Sequence, residues 1–329
     1  MNIYLFFILL VNIIFLIYHK KFIKLINIFD EPDLYRKRHL KKTSLSGGSI
    51  ILLNLIMYFL YFYIYKNLQE FSNLDYISLF IGSFIFYLLG LYDDKYSISA
   101  NKKLFIKFLF AYMLISSNDN LLITQLNFFY NSYTLSLGYY SLIFTIMCVL
   151  LLINALNMFD GINLQSGILC IIIFVIFALH TGFSYLLITL IISCVFFLIL
   201  NYQNKTFLGN SGILLLGYII SFFLIRFYNN TEILFLKVEE IFILLLIPGL
   251  DMFRLFILRI SKRKNPFLGD RNHIHHILIN KFTLIRTTFI IQSLIIFPQL
   301  IIYFFSLNRF IVIFLMILIY SFLIKKYAQ

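Results

Sequence analysis

Apolar positions in this chain run in long blocks, without the period of a half-buried helix or strand. Stretches such as 48–65, 138–156 and 184–201 contain no charged residue at all. A membrane-spanning helix needs about 20 apolar residues. In lipid, helices and closed barrels alone satisfy their own backbone polar groups, and blocks of this length suit helices. The pattern predicts about eleven spans, at roughly 2–18, 48–65, 75–92, 103–117, 138–156, 165–181, 184–201, 212–228, 238–259, 286–305 and 309–325. The expected fold is all-α, a polytopic membrane protein forming a single integral-membrane domain over 1–329.

Composition agrees. The chain is 61% hydrophobic and 12% charged, about half the charged share of a soluble domain. The net charge of +13 would suggest nucleic acid in a soluble protein, but here the basic residues sit between apolar blocks, where they encode topology. No nucleic-acid partner is expected. All but four of the 27 Lys and Arg residues fall on one side of the alternating loops, the exceptions being Lys66, Arg226, Lys237 and Arg309. That side is expected to be cytoplasmic, which places the N-terminus outside and the C-terminus inside. No basic segment precedes the first apolar block and no small-residue cleavage site follows it, so it reads as a retained span. Cys148, Cys170 and Cys194 lie inside apolar blocks and read as small buried hydrophobes.

The chemically capable residues gather on the predicted cytoplasmic side. Asp93 and Asp94 are adjacent at the end of an apolar block. They form either a solvated helix end or a site for a cation or proton, because two buried carboxylates repel unless neutralised. Asn154, Asn157 and Asp160 recur every three residues before Gly161. Oxygen donors of this kind suit Mg²⁺; an interhelical hydrogen-bond network is the alternative. In FLGNSG, 207–212, Asn210 stands at the start of a span, where free backbone N–H groups suit an anion. Asp251 and Arg254 lie one turn apart. The stretch DRNHIHH, 270–276, holds three of the six histidines beside Arg271. It lacks the paired-histidine-plus-Glu pattern of a zinc site and fits phosphate recognition better. His273 and His276 are spaced to share a helical face, and His275 is not. Residues 29–48 add Arg36, Lys37, Arg38, His39, Lys41 and Lys42, a basic stretch suited to anionic headgroups or to setting topology.

Taken in order, these motifs resemble one family. D-x-P with R-K-x-H and G-G is followed by D-D, N-x-x-N-x-x-D-G, F-L-G-x-x-G, P-x-x-D and D-R-x-H-x-H-H, over residues 29–278. The series is similar to that of the polyprenyl-phosphate N-acetylhexosamine-1-phosphate transferases, glycosyltransferase family 4. The H-x-H-H form resembles the undecaprenyl-phosphate GlcNAc-1-phosphate transferase branch. The resemblance implies an enzyme of the bacterial inner membrane whose active site lies at the cytoplasmic face. It would transfer an N-acetylhexosamine 1-phosphate from a UDP-sugar to undecaprenyl (polyprenyl) phosphate, release UMP, require Mg²⁺ and start cell-surface glycan assembly. A homodimer is compatible with it. Asp93, Asp94 and Asp160 would be catalytic. Asp251, Arg271, His273, His275 and His276 would bind the donor, while Arg36, Lys37, His39 and Lys102 would bind the lipid phosphate. Asn157 and Asn210 would reach the metal.

Three positions depart from the family pattern: Asn163 and Asn210 stand where Asp is usual, and Ser44 stands where Pro is usual. Two fewer carboxylates weaken a cation site, so a catalytically decayed homologue is one alternative. A multi-span transporter is the other, but transporters place ionisable residues near the bilayer midplane, whereas here they gather at one face.

Overall fold

The computed structural model describes residues 2–31, 42–65, 71–129, 133–230, 236–265, 270–305 and 307–327. Their elements run α1 (Asn2–Ile26), β1 (Phe29–Asp30), β2 (Thr43–Ser44), α2 (Gly47–Tyr65), α3 (Asn73–Tyr96), α4 (Ala100–Ser116), β3 (Gln125–Asn127), β4 (Thr134–Ser136), α5 (Ser141–Phe159), α6 (Gln165–Thr181), α7 (Tyr185–Tyr202), α8 (Gly209–Asn229), α9 (Val238–Ser261), α10 (Ile274–Ile279), α11 (Leu284–Phe305) and α12 (Arg309–Tyr327). The fold is all-α with two short hairpins, as expected for a polytopic membrane protein. Among the described residues, nine helices are long and apolar enough to span a membrane, and α6 is a shorter apolar one. The expected span at 103–117 corresponds to α4, which is not among the nine; Lys102, Lys103 and Lys107 lower its hydropathy. Arg36, Lys37 and His39 lie outside the described residues.

The chain divides into two compact units. The first comprises Met1–Asn118 and Gly167–Phe222. Here α2 packs along α7, with α1 against both and α3 between α2 and α4. Several polar side chains inside this apolar packing are paired with one another, because lipid supplies no partner for them. Asn12 on α1 and Asn54 on α2 exchange amide hydrogen bonds of 2.7 and 3.1 Å, and each amide also donates to the carbonyl one turn earlier. The Tyr4 hydroxyl meets Thr189 at 2.5 Å. Tyr218 of α8 reaches α3, donating to the Ser78 carbonyl at 2.7 Å.

The second unit comprises Asp119–Ser166 and Phe223–Gln329. Its centre is α9, flanked by α5, α11 and α12, with the short α10 lying on α11 and α12. The β3–β4 hairpin is tied to α9: the Phe129 N–H donates to both Glu239 oxygens at 3.0 Å. Arg309, at the start of α12, pairs with Glu240 at 3.0 Å and lies over the Phe129 ring. The outward faces of α1 and α12 are rows of exposed Ile, Leu and Phe, as lipid contact demands.

Candidate active site

In the first unit the polar centre sits where α3 ends and α8 begins. Asp93 lies in the last turn of α3. Ser97 then takes a left-handed conformation (φ 54°) and its N–H closes on the Asp93 carbonyl at 2.8 Å. This turn brings the Ile98 N–H onto Asp93 Oδ1 at 2.9 Å. From α4, Lys103 Nζ reaches Asp93 Oδ2 at 2.6 Å, with both side chains largely buried. Lys107, one turn further along α4, is 2% exposed. Of the two adjacent lysines, Lys103 turns to the acid and Lys102 is exposed. Spacing alone did not separate them.

Asp94 points elsewhere. Its Oδ1 accepts from the Asn210 backbone N–H at 2.8 Å and the Asn210 side-chain amide at 3.0 Å. Its Oδ2 accepts from the Ser211 N–H at 3.0 Å. The first N–H groups of a helix have no intrahelical partner and attract anions. The anion at the start of α8 is this chain's own carboxylate. Two glycines make the approach possible. A Cβ on Gly90 would overlap the Asn210 and Ser211 backbone, and Gly209 has φ +71° with Asp94 Oδ2 beside its missing Cβ. The sequence flagged Asn210 but not Ser211, whose part is played by its backbone.

In the second unit a separate network surrounds Asp251, on α9. Oδ1 accepts from Arg254 at 2.8 Å, the Ile274 N–H at 3.0 Å and the Tyr320 hydroxyl at 2.8 Å. Oδ2 meets His273 Nδ1 at 2.7 Å. Arg254 also donates to the Tyr320 oxygen at 2.8 Å and the Asn272 carbonyl at 2.5 Å. The carboxylate therefore anchors the histidine segment to α9. Tyr320 was missed because a tyrosine in an apolar span carries no motif. Arg259, readable as topology charge, is instead 4% exposed and pairs with Asp270 at 2.8 Å. Burial works to raise the Asp270 pKa, but Arg259 and the Asn272 N–H outweigh it and hold that carboxyl below its usual range.

The histidines depart from the helical-face expectation. His273 is the N-cap of α10 and lies outside the helix, so helical spacing does not govern it. Its ring stacks on His275 at 5.2 Å with a 7° interplanar angle, and the His275 ring lies 4.3 Å from that of His276. His275 is fully buried, with no hydrogen-bond partner on either ring nitrogen. Burial, followed by the neighbouring imidazoles, pushes its pKa well below 6.5, so it is neutral near pH 7. Gly161 seats it: a Cβ there would overlap His275 Nε2. One ligating atom each from Asp251, His273 and His275 lie within 4.8 Å of one another, but four protein donors already engage Asp251.

Helix α5 ends at Phe159, with Asp160 as C-cap closing on the Leu156 carbonyl at 3.0 Å. Asn157 lies one turn before it, half-buried. Arg271 is exposed beside Asn272. Within the first unit, therefore, Asp93, Asp94 and Asn210 come together. Within the second, Asp251, His273, His275 and His276 do so, with Gly161 against His275.

Magnesium is a hard cation and takes oxygen donors. An ionised carboxylate offers about four lone-pair positions. Asp94 uses three of these on protein donors and Asp93 two, so both keep acceptor capacity. The donor set at α3 and α8 fits Mg²⁺, with one carboxylate fewer than a site carrying Asp at position 210.

Residues 76–228 match the family described as Glycosyl transferase family 4, a stretch that includes Asp93, Asp94, Asn157, Asp160 and Asn210. The chain is 25% identical over 303 residues to the undecaprenyl-phosphate alpha-N-acetylglucosaminyl 1-phosphate transferase of Escherichia coli K12, covering 87% of this chain and 78% of the relative. The Yersinia pestis protein of the same name is 25% identical over 306 residues, 88% of this chain and 79% of the relative. The probable undecaprenyl-phosphate N-acetylglucosaminyl 1-phosphate transferase of Bacillus subtilis is 30% identical over 261 residues, 77% of this chain and 70% of that protein. Identity of 30% over that much of both chains, together with the family match over 76–228, makes this chain a member of glycosyl transferase family 4.

Proposed function

We propose that this chain transfers an N-acetylhexosamine 1-phosphate from a UDP-sugar to a polyprenyl phosphate such as undecaprenyl phosphate, releasing UMP. The observation that carries the reading is the similarity to undecaprenyl-phosphate N-acetylglucosaminyl 1-phosphate transferases over most of the chain. In the reaction, an oxygen of the lipid phosphate forms a bond to the phosphorus bearing the sugar. The bond from that phosphorus to the UMP oxygen breaks, and UMP carries away the electron pair.

Both reactants are anionic, so positioning and charge neutralisation are the main requirements. Bound Mg²⁺, held by Asp94, Asp93 and Asn210, would offset the charge gathering on the pyrophosphate. In the second unit, Asn157 of α5 keeps the metal-binding role and Asp160 the catalytic role that the family resemblance implies. Asp94, with three donors on its oxygens, holds the start of α8. Asp93, with two donors, keeps more of its acceptor positions open, in the catalytic role of receiving the lipid phosphate's proton. Lys103 offers positive charge beside Asp93. Asp251 orients His273 through Nδ1, leaving Nε2 to the donor together with Arg271 and His276. Arg36, Lys37, His39 and Lys102 would receive the lipid phosphate.

The basic-residue bias supports a cytosolic donor site in an inner membrane, with the N-terminus outside and the tail after Lys325 inside. Cysteine labelling of the tail from outside intact cells would reverse this orientation. The direct test is to incubate purified protein and Mg²⁺ with undecaprenyl phosphate and a panel of UDP-sugars. UMP and a lipid-pyrophosphoryl-sugar product are expected. Failure of every donor would favour the second reading, a decayed transferase. One observation speaks for that reading: the Asn210 amide satisfies Asp94 directly, so no cation is needed to hold these two residues together.

A further inference from the structure

A groove of about 500 Å³ lies in the first unit between the end of α1 and the last two turns of α3. Its walls are Ile26 and Ile28 on one side and Leu88 and Leu91 on the other, with Tyr92 and Lys95 at the polar end. The turn after α1 shapes one wall. Asn27 takes a left-handed φ of 51° and closes on the Ile23 carbonyl at 2.9 Å, which brings Ile28 back beside Ile26. At 100° per residue, positions 88, 91, 92 and 95 of α3 form one face. Asp93 and Asp94 project from other faces, and their donors come from α4 and α8. The groove is thus a site apart from the acid pair, at the back of the helix end that carries it.

We infer that this groove binds an anionic glycerophospholipid, with an acyl chain between the α1 turn and α3 and the phosphate at Lys95. The lining matches both parts of such a molecule. Branched aliphatic side chains suit a hydrocarbon tail, and an exposed ammonium beside Tyr92 and Tyr96 suits a headgroup at the membrane boundary. Lys95 Nζ lies 5.1 Å from the Tyr96 ring centroid, at the polar end of the groove. Lys20, Lys21 and Lys24 on the last turns of α1 add positive charge at the same end. A zwitterionic lipid would gain less from this arrangement. The site does not depend on the reaction proposed above, and a lipid seated there would steady the end of α3 from behind.

The chain contains no tryptophan, so one introduced indole reports a single place. Leu88→Trp puts the probe on the groove rim, where Leu88 is 43% exposed; Ile13→Trp, at a position 49% exposed on α1, is the reference. Each variant is reconstituted in phosphatidylcholine vesicles containing a small fraction of brominated-chain phosphatidylglycerol or brominated-chain phosphatidylcholine. Leu88→Trp should favour the anionic quencher roughly fivefold, the factor corresponding to about 1 kcal/mol for one basic residue near an anionic headgroup. Ile13→Trp should not discriminate. Adding Lys95→Gln to Leu88→Trp should abolish the preference. Ile28→Trp repeats the measurement from the opposite wall if Leu88→Trp does not fold. Equal quenching by the two lipids at the groove, an equal preference at Ile13→Trp, or a preference that survives Lys95→Gln would each overturn the site.

Discussion

Asp94 holds the first turn of α8 through Asn210, taking that residue's backbone N–H at 2.8 Å and its side-chain amide at 3.0 Å. The proposed metal-binding role and helix capping therefore fall on one carboxylate. Asp94→Asn keeps the shape but loses the charge that the helix start attracts, which should cost about 1 kcal/mol of stability. Turnover should fall much further, by about 100-fold or more, as when a positioned charge is removed from a phosphoryl-transfer site. Thermal unfolding in detergent and UMP release, measured side by side, separate the two effects. Near-normal turnover in the variant would remove Asp94 from the site.

Tyr320→Phe should act on the donor. The hydroxyl donates to Asp251 and accepts from Arg254 at 2.8 Å each. Its loss removes one of Arg254's three acceptors and one of Asp251's donors, loosening the Asp251–His273 pair without removing a charge. We expect donor KM to rise about tenfold, corresponding to roughly 1.4 kcal/mol, with a smaller change in kcat. Arg254→Lys should behave similarly, because a lysine cannot bridge three acceptors as a guanidinium does. A fall in kcat with KM unchanged would place the Tyr320 network at the reacting atoms instead.

The apolar blocks were legible because a membrane helix advertises itself by length: among the described residues nine of the eleven expected spans match long apolar helices, while α6 is apolar but shorter and α4, with three lysines, is not among the nine. The acid pair and Asn210 were legible as polar letters at the ends of such blocks. What pairs with them was not. Lys103 and Lys102 are adjacent in sequence and equal in charge, and the path of the chain through the Ser97 turn is what turns Lys103 to Asp93. Ser211 works through its N–H and leaves no trace in side-chain chemistry. Histidine spacing misled for a local reason: His273 caps α10 instead of lying within it, so its ring can stack on His275.

His275 should make stability fall on acidification. Its folded pKa is pushed well below 6.5 by burial and by the adjacent imidazoles. Below pH 6.5 the unfolded chain binds a proton there that the folded chain does not, so stability present above that pH drains away as pH falls toward the folded pKa. The slope approaches about 1.4 kcal/mol per pH unit for one such group. The unfolding midpoint should drop between pH 7.5 and 5.5, and His275→Gln should flatten that drop. An equal drop in the variant would show that His275 is not the group responsible. Gly161→Ala, which drives a methyl into the His275 ring, should lower the midpoint at both pH values.

Asn210→Asp is the most informative exchange. It replaces an amide that donates to Asp94 with a second carboxylate at the same place. Two such charges a few ångströms apart repel by on the order of a few kcal/mol at the effective dielectric of a partly buried site. A cation between them relieves that repulsion. The variant should therefore be less stable than the parent in EDTA, recover with millimolar Mg²⁺, and reach half-maximal activity at lower Mg²⁺. The parent, whose Asn210 and Asp94 satisfy one another directly, should show little change in unfolding temperature with Mg²⁺. Asn163→Asp should give a smaller shift in metal dependence. If the unfolding temperature of Asn210→Asp ignores Mg²⁺, position 210 does not face a cation. If the parent is inert and the double exchange is active, the chain is a transferase that lost its activity through these two amides.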